Sequence, residues 1–315
     1  MTNECSRDSV PAACTRRGFL QSGLVGGVMV SRLVSAATAV PKTWQAPPVC
    51  FFSKHLQFLD YTALAERCRD LGADGIDLTV RPKGHVAPER VEEDLPKACE
   101  AARQAGIEVA MVTTRLQHAR DAEAERILKT GAGLGIKYFR IGGHEYAEGQ
   151  ELLAQLGTIQ QDLEGLVKLA EQYDVTLGYH NHSGGRNVGA PLWDLERLFA
   201  AIHSPRLGAN FDVGHAKVEG AYGAWQLGTE LLAPHMKMMS VKDFVWDKDA
   251  PCWLPLGQGI VPLVKMLSIA RAAGFLGPIS IHVEYKVGSD EAMLQEMRNA
   301  VPVLRRALTE AGYTA

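Results

Sequence analysis

The chain has 315 residues, of which 46% are hydrophobic and 22% charged, with a formal net charge of -3. That is room for one large domain or two small ones, of ordinary soluble composition. Lys and Arg form no long runs, which argues against a nucleic-acid partner, whose phosphates call for a basic face.

Residues 1–39 read as an address rather than as fold. Thr15-Arg16-Arg17-Gly18-Phe19-Leu20 is a twin-arginine stretch, an apolar run from Leu20 to Val34 follows, and Ala37-Thr38-Ala39 is a small-x-small cleavage pattern. Together they predict a Tat-type export signal and a periplasmic or otherwise exported protein. The run is too short and glycine-rich for a good membrane span, so no stable membrane insertion is expected after cleavage. The folded domain is expected over 40–315. Cys5 and Cys14 would leave with the signal, and no pair among Cys50, Cys68, Cys99 and Cys252 has C-x-x-C spacing. A structural zinc knot is therefore not expected.

From residue 49 onward, short apolar runs alternate with longer periodic ones. Strands are predicted at Val49–Ser53, Gly75–Thr79, Glu108–Thr113, Tyr138–Ile141, Thr176–His180, Leu207–Asp212, Met236–Lys242 and Pro278–Glu284. Between them, Tyr61, Leu64, Ala65, Cys68 and Leu71 share one helical face, as do Ile159, Leu163, Leu166, Val167 and Ala170. Gly72, Gly106, Gly135 and Gly274 stand where helices should end before the next strand. Eight strands alternating with eight helices predict an α/β fold, a (β/α)8 TIM barrel. Gly131-Ala132-Gly133-Leu134-Gly135 precedes a strand rather than following one, which argues against a nucleotide loop.

Side chains alternate faces along a strand. Asp77, Thr176, Gly178, His180, Asn210, Asp212, Ser240, Lys242, Ser280, His282 and Glu284 fall on the polar faces, and the opposite faces are apolar. The polar faces should point at the barrel axis, with the chemistry at the C-terminal strand ends. There His180, Asp212 and Glu284 supply one imidazole and two carboxylates, a set that suits a divalent ion such as Mn, Co, Zn or Mg. His282 is a further candidate ligand. A carboxylate at a strand end also commonly caps the next helix, so each of the three has a plainer reading.

The runs Tyr179-His180-Asn181-His182, Asn210-Phe211-Asp212-Val213-Gly214-His215, Val241-Lys242-Asp243 and Ile281-His282-Val283-Glu284 stand in the order seen in xylose-isomerase-like barrels. The chain resembles that family over essentially its whole mature length, with ketose 3-epimerases and inosose dehydratases as the nearest kinds. The resemblance implies a divalent metal on His180, Asp212 and Glu284, with His215 near the substrate. This sequence departs from the epimerases in two places. His180 stands where they have Glu, and Ser240 where they have a ligating His.

A sugar isomerase or epimerase working through an enediolate is the leading expectation. The alternatives are a lyase or dehydratase on a keto-sugar or cyclitol, and a non-catalytic sugar-binding barrel. Glu284, Lys242 and His182 are the candidate proton-transfer groups. Lys242 has a plainer reading as a salt bridge. Asp77, Arg140, His215, Trp246 and Trp253 are candidate sugar contacts, with Lys54 and His55 at the mouth. The amides of Pro255-Leu256-Gly257-Gln258-Gly259 could hold an anion. The expected partner is a small-molecule sugar, unphosphorylated if the enzyme is exported. A homo-oligomer stays open.

Overall fold

The computed structural model describes residues 43–314. The export segment expected over 1–39 lies outside them. In chain order the elements are β1 (Val49–Phe52), α1 (Tyr61–Asp70), β2 (Gly75–Thr79), α2 (Val91–Gln104), β3 (Glu108–Thr113), α3 (Ala124–Gly133), β4 (Tyr138–Ile141), α4 (Leu152–Gln172), β5 (Thr176–His180) and α5 (Trp193–Ile202). There follow β6 (Leu207–Asp212), α6 (Val213–Glu219), α7 (Ala224–Leu232), β7 (Met236–Val241), β8 (Asp243–Asp247), β9 (Ala250–Leu254), α8 (Leu263–Ala272), β10 (Ile279–Ile281) and α9 (Asp290–Glu310). Three short 3-10 turns join them, at Ser53–Leu56, Pro88–Arg90 and Ala233–His235.

Eight parallel strands close into a barrel in the order β1-β10-β7-β6-β5-β4-β3-β2. Closure is made by β1, whose Phe51 pairs with Ile281 on one side and Ile76 on the other. The predicted (β/α)8 architecture is what the chain adopts. The connection after β6 is split into α6 and α7, and the one after β7 carries an added antiparallel hairpin, β8–β9.

The helices form because each carries one apolar stripe that the barrel covers. In α4 the stripe Ile159, Leu163, Leu166, Val167 and Ala170 is buried, and in α1 Leu64, Ala65 and Cys68 are buried. Each fully buried Leu contributes about 1.5–3 kcal/mol relative to exposure. Asp60 caps α1 by accepting from the Ala63 N–H (2.8 Å), and Ser289 caps α9 by accepting from the Ala292 N–H (3.1 Å). Just past α1 and α8, Gly72 (φ 89°) and Gly274 (φ 94°) take the left-handed conformation that a Cβ would strain. Near the end of α3, Gly131 serves packing, since it lies against the Phe139 ring, where a side chain would not fit, and Gly135 (φ 87°) takes the left-handed conformation.

Strand parity holds around the barrel. Leu177, Tyr179, Ala209, Phe211, Met239, Val241, Ile279 and Ile281 join the apolar layer beneath the helices. Facing the axis, Asn210 bridges His180 and Ser240, while Asp77 takes hydroxyls from Thr113 and Ser280. Cys50, Cys68, Cys99 and Cys252 are all free thiols. No helix among the described residues is long and apolar enough to cross a membrane.

Candidate active site

The C-terminal ends of the strands open into a polar cavity of about 360 Å³, at the small end of ligand sites. It is lined by Lys54, Arg81, Arg140, His180, His182, His215, Lys242, Trp253, His282 and Glu284, among others.

At its floor the tips of β5 and β6 are locked together. The Asn181 side chain accepts from the Asp212 N–H (2.7 Å) and donates to the Asp212 carbonyl (3.0 Å). Asp212 then divides its carboxylate. Oδ1 caps α6 by accepting from the His215 N–H (2.8 Å), while Oδ2 is buried and faces the Lys242 ammonium at 3.1 Å. The capping role and a site-facing oxygen therefore coexist in one residue. His180 stands beside it, with Nδ1 held 3.2 Å from the Asn210 amide and Nε2 3.8 Å from Asp212 Oδ2. His215, one turn into α6, has Nδ1 2.7 Å from Ser183 Oγ.

His180, Asp212 and His215 each offer a ligand atom, and these atoms lie within 4.8 Å of one another. Two imidazoles and a carboxylate, buried and this close together, fit a divalent cation in the seat that the Lys242 ammonium now shares. The Asn210 amide nitrogen faces His180 Nδ1, so for Nε2 to present its lone pair the amide must turn over and accept from Nδ1–H with its oxygen.

The Lys242 ammonium touches the same donors. Nζ lies 3.1 Å from Asp212 Oδ2, 2.7 Å from His215 Nε2 and 4.6 Å from the Trp253 ring centroid. Burial lowers its pKa, against the pull of Asp212 and Glu284. Burial, aided by Arg140, pushes His180 well below its ordinary value, and burial with Lys242 does the same to His215. Both imidazoles are thus neutral near pH 7, as metal ligation requires.

Glu284 lines the cavity but stands apart from the three-donor cluster. Its Oε2 accepts from Lys54 Nζ (3.1 Å), and Oε1 lies 3.6 Å from His282 Nδ1. Burial alone would raise its pKa, but His282, Lys242 and Lys54 outweigh that and hold the carboxyl well below its usual range. His282 stacks on Phe52 with ring centroids 4.5 Å apart, and both its ring nitrogens are buried without hydrogen bonds. Ser240, where a ligating His was missed, is buried and bonded to Asn210. His182, on the rim, has its ring 3.9 Å from that of His215.

Four expectations need correction. Asp77 does not reach the cavity, because Thr113 and Ser280 hydroxyls (2.7 Å each) occupy its two oxygens inside the barrel. It also does not pair with Arg140 within ion-pair distance. Trp246 is 39% exposed and packs edge-on to Phe244 outside the cavity, whereas Trp253, on the partner strand of the hairpin, lines it. The amides after Pro255 hold no free anion site. The Asp243 carboxylate consumes those of Gly257, Gly259 and Val261, each at 3.0 Å. His55, expected at the mouth, instead accepts the Val283 N–H at Nε2 (3.1 Å). Arg81 lines the cavity and was not singled out from the sequence. Its signal was its place just past the end of a barrel strand, two residues beyond Thr79.

The chain belongs to the xylose isomerase-like TIM barrel family, whose model matches residues 65–306. Among solved structures it is similar to a xylose isomerase domain protein from Alicyclobacillus acidocaldarius (17% identity, TM-score 0.68, covering 85% of this chain and 99% of that one). It is also similar to the 3-keto-D-glucoside 4-epimerase of E. coli (12%, 0.66, 82% and 99%). A third likeness is to an IOLI protein with a bound zinc atom (16%, 0.62, 84% and 97%). At these identities the likeness speaks to fold. No curated protein matches the chain.

Proposed function

We propose that this chain is a divalent-metal-assisted isomerase or epimerase of a sugar or keto-sugar. The observation that carries the proposal is the buried His180–Asp212–His215 donor cluster, whose two imidazoles line a polar cavity. The family, and the epimerase and zinc-bound neighbours within it, support the same reading. The bound ion would polarise a substrate carbonyl or hydroxyl and stabilise negative charge on its oxygen.

The remaining work falls to the protein's own groups. Isomerisation needs one group to take a C–H proton beside the carbonyl and another to return it. Glu284 is paired with Lys54 and lies 3.6 Å from His282, so its part is to hold these two at the mouth. The imidazole of His182, at the rim beside His215, takes the proton. Lys242, displaced from His215 and Asp212 by the ion, would supply one to the developing oxyanion. Trp253, its ring 4.6 Å from the ammonium, lines the cavity and gives the sugar a face to stack on.

A lyase is the second reading, favoured by Lys242 itself. Loss of the C–H proton followed by cleavage of a β C–O bond needs a donor for the departing hydroxyl, and the buried ammonium at the cavity floor is one.

The test is to incubate metal-loaded protein with a panel of sugars and keto-sugars in deuterated water. Deuterium at the carbon beside the carbonyl supports isomerase or epimerase chemistry, and loss of water supports the lyase. Neither, with any of Mn, Co, Zn or Mg, leaves a sugar-binding barrel.

A further inference from the structure

The cations of the cavity divide into two kinds. Lys54 is paired with Glu284, and Lys242 with Asp212. Arg81 and Arg140 are not paired. Among the described residues, no carboxylate lies within ion-pairing distance of either guanidinium, although both line the cavity. Their guanidinium carbons stand over the same Phe52 ring, 5.5 and 5.6 Å from its centroid. Nη1 of Arg140 is buried with no hydrogen-bond partner.

Such an arrangement is unfavourable in the free protein. Two like charges converge on one apolar ring, and a buried donor goes unsatisfied. Burial lowers the pKa of both, and the nearby Arg115 lowers Arg81 further. The inward carboxylates are engaged elsewhere, Asp77 with Thr113 and Ser280, Asp212 with Lys242 and Glu284 with Lys54. Phe52 supplies a flat floor that cannot accept a hydrogen bond. What relieves the strain is an oxyanion, which guanidinium donors recognise in a forked geometry.

We infer that Arg81 and Arg140 form an oxyanion clamp over Phe52, and that the sugar taken by this cavity carries a carboxylate or phosphate group seated between them. The substrate class rests on the reading of the cavity as a sugar site, but the clamp does not. The anionic end would lie on the β1–β2–β4 side of the mouth, leaving the carbonyl end toward Asp212 and Lys242. Neutral ketoses would bind without the clamp's contribution.

The test is calorimetric titration of the full chain at low ionic strength with inorganic phosphate, D-glucose 6-phosphate and D-glucuronate, against D-glucose. The clamp predicts that an oxyanion probe binds at least about tenfold more tightly than D-glucose, the worth of one charge-assisted hydrogen bond. Arg81→Met and Arg140→Met should each remove that advantage, and added salt should erode it. Should Arg140→Met not fold, the half-buried Arg81→Met decides alone. A response confined to phosphate probes names a phosphorylated sugar, and one confined to D-glucuronate names a sugar acid. Equal binding of charged and neutral probes, or an oxyanion preference that survives the arginine substitutions, overturns the clamp. Oxyanion binding without deuterium exchange on any sugar would keep the clamp and retire the isomerase reading.

Discussion

The Lys242 ammonium lies 2.7 Å from His215 Nε2 and 3.1 Å from Asp212 Oδ2, so one buried cation holds two of the three donors suited to a divalent ion. Ion and ammonium are alternatives for the same seat unless Lys242 swings off. Removing the ammonium should therefore strengthen metal binding. Lys242→Met is expected to raise zinc affinity by about tenfold or more, since one close unit-charge repulsion is worth a few kcal/mol at a protein site. It should abolish turnover at the same time. Competition with a chromophoric chelator reads the affinity. Unchanged or weaker zinc binding would mean that the two cations do not share the seat.

Asn181 is a positioning residue. It clamps the Asp212 backbone from β5 without touching the cavity floor itself. Asn181→Ala should weaken metal binding by roughly 10–100-fold, the range for lost supporting contacts around a ligand. Asn181→Asp, which keeps the acceptor for the Asp212 N–H, should recover part of it. A loss of thermal stability with metal affinity intact would reduce Asn181 to a structural role.

The loop that follows the hairpin hangs on one carboxylate. Asp243 accepts the N–H groups of Phe244, Gly257, Gly259 and Val261. Asp243→Ala strands these donors and should destabilise the fold by about 3 kcal/mol or more. Asp243→Asn, which can accept only at one oxygen, should fall between. Denaturant unfolding measures both. A cost within the about 0.5 kcal/mol usual for surface changes would contradict the assignment.

Stability should fall in mild acid. Burial pushes His55 down to about 4, against an ordinary value of 6.5. Between those values the unfolded chain takes up a proton that the folded chain refuses, so the contribution is complete above pH 6.5 and is lost as pH falls toward 4. From pH 7 to pH 5 this one group costs at most about 2 kcal/mol. His55→Gln keeps an acceptor for the Val283 N–H and should flatten the decline in melting temperature. Parallel pH curves for the two proteins would show that His55 is not responsible.

Most of the barrel was legible because each strand carries its own period. Gly75–Thr79, Glu108–Thr113, Tyr138–Ile141, Thr176–His180 and Leu207–Asp212 have the bounds that the pattern gives, and β10 is shorter because His282 to Glu284 bend into the mouth. The hairpin Asp243–Leu254 was not legible, since Pro251 and the charged Asp247-Lys248-Asp249 turn disguise two short strands as a loop. Parity placed Asp77 inward correctly but could not say how deep it sits. Depth depends on Thr113 and Ser280, which come from other strands. In the same way, the Lys54–Glu284 pair joins residues 230 positions apart, beyond the reach of local pattern. Spacing could group His180 with Asp212, but it could not show that His215, rather than Glu284, completes the cluster.

The most direct measurement is the metal content of the purified protein, taken beside that of Asp212→Asn and His180→Ala variants. The account predicts close to one divalent ion per chain, lost in both variants while their folds persist. A folded wild-type chain that takes up no ion even when Mn, Co, Zn or Mg is supplied would contradict it, and would leave Lys242 as the permanent cation of the site.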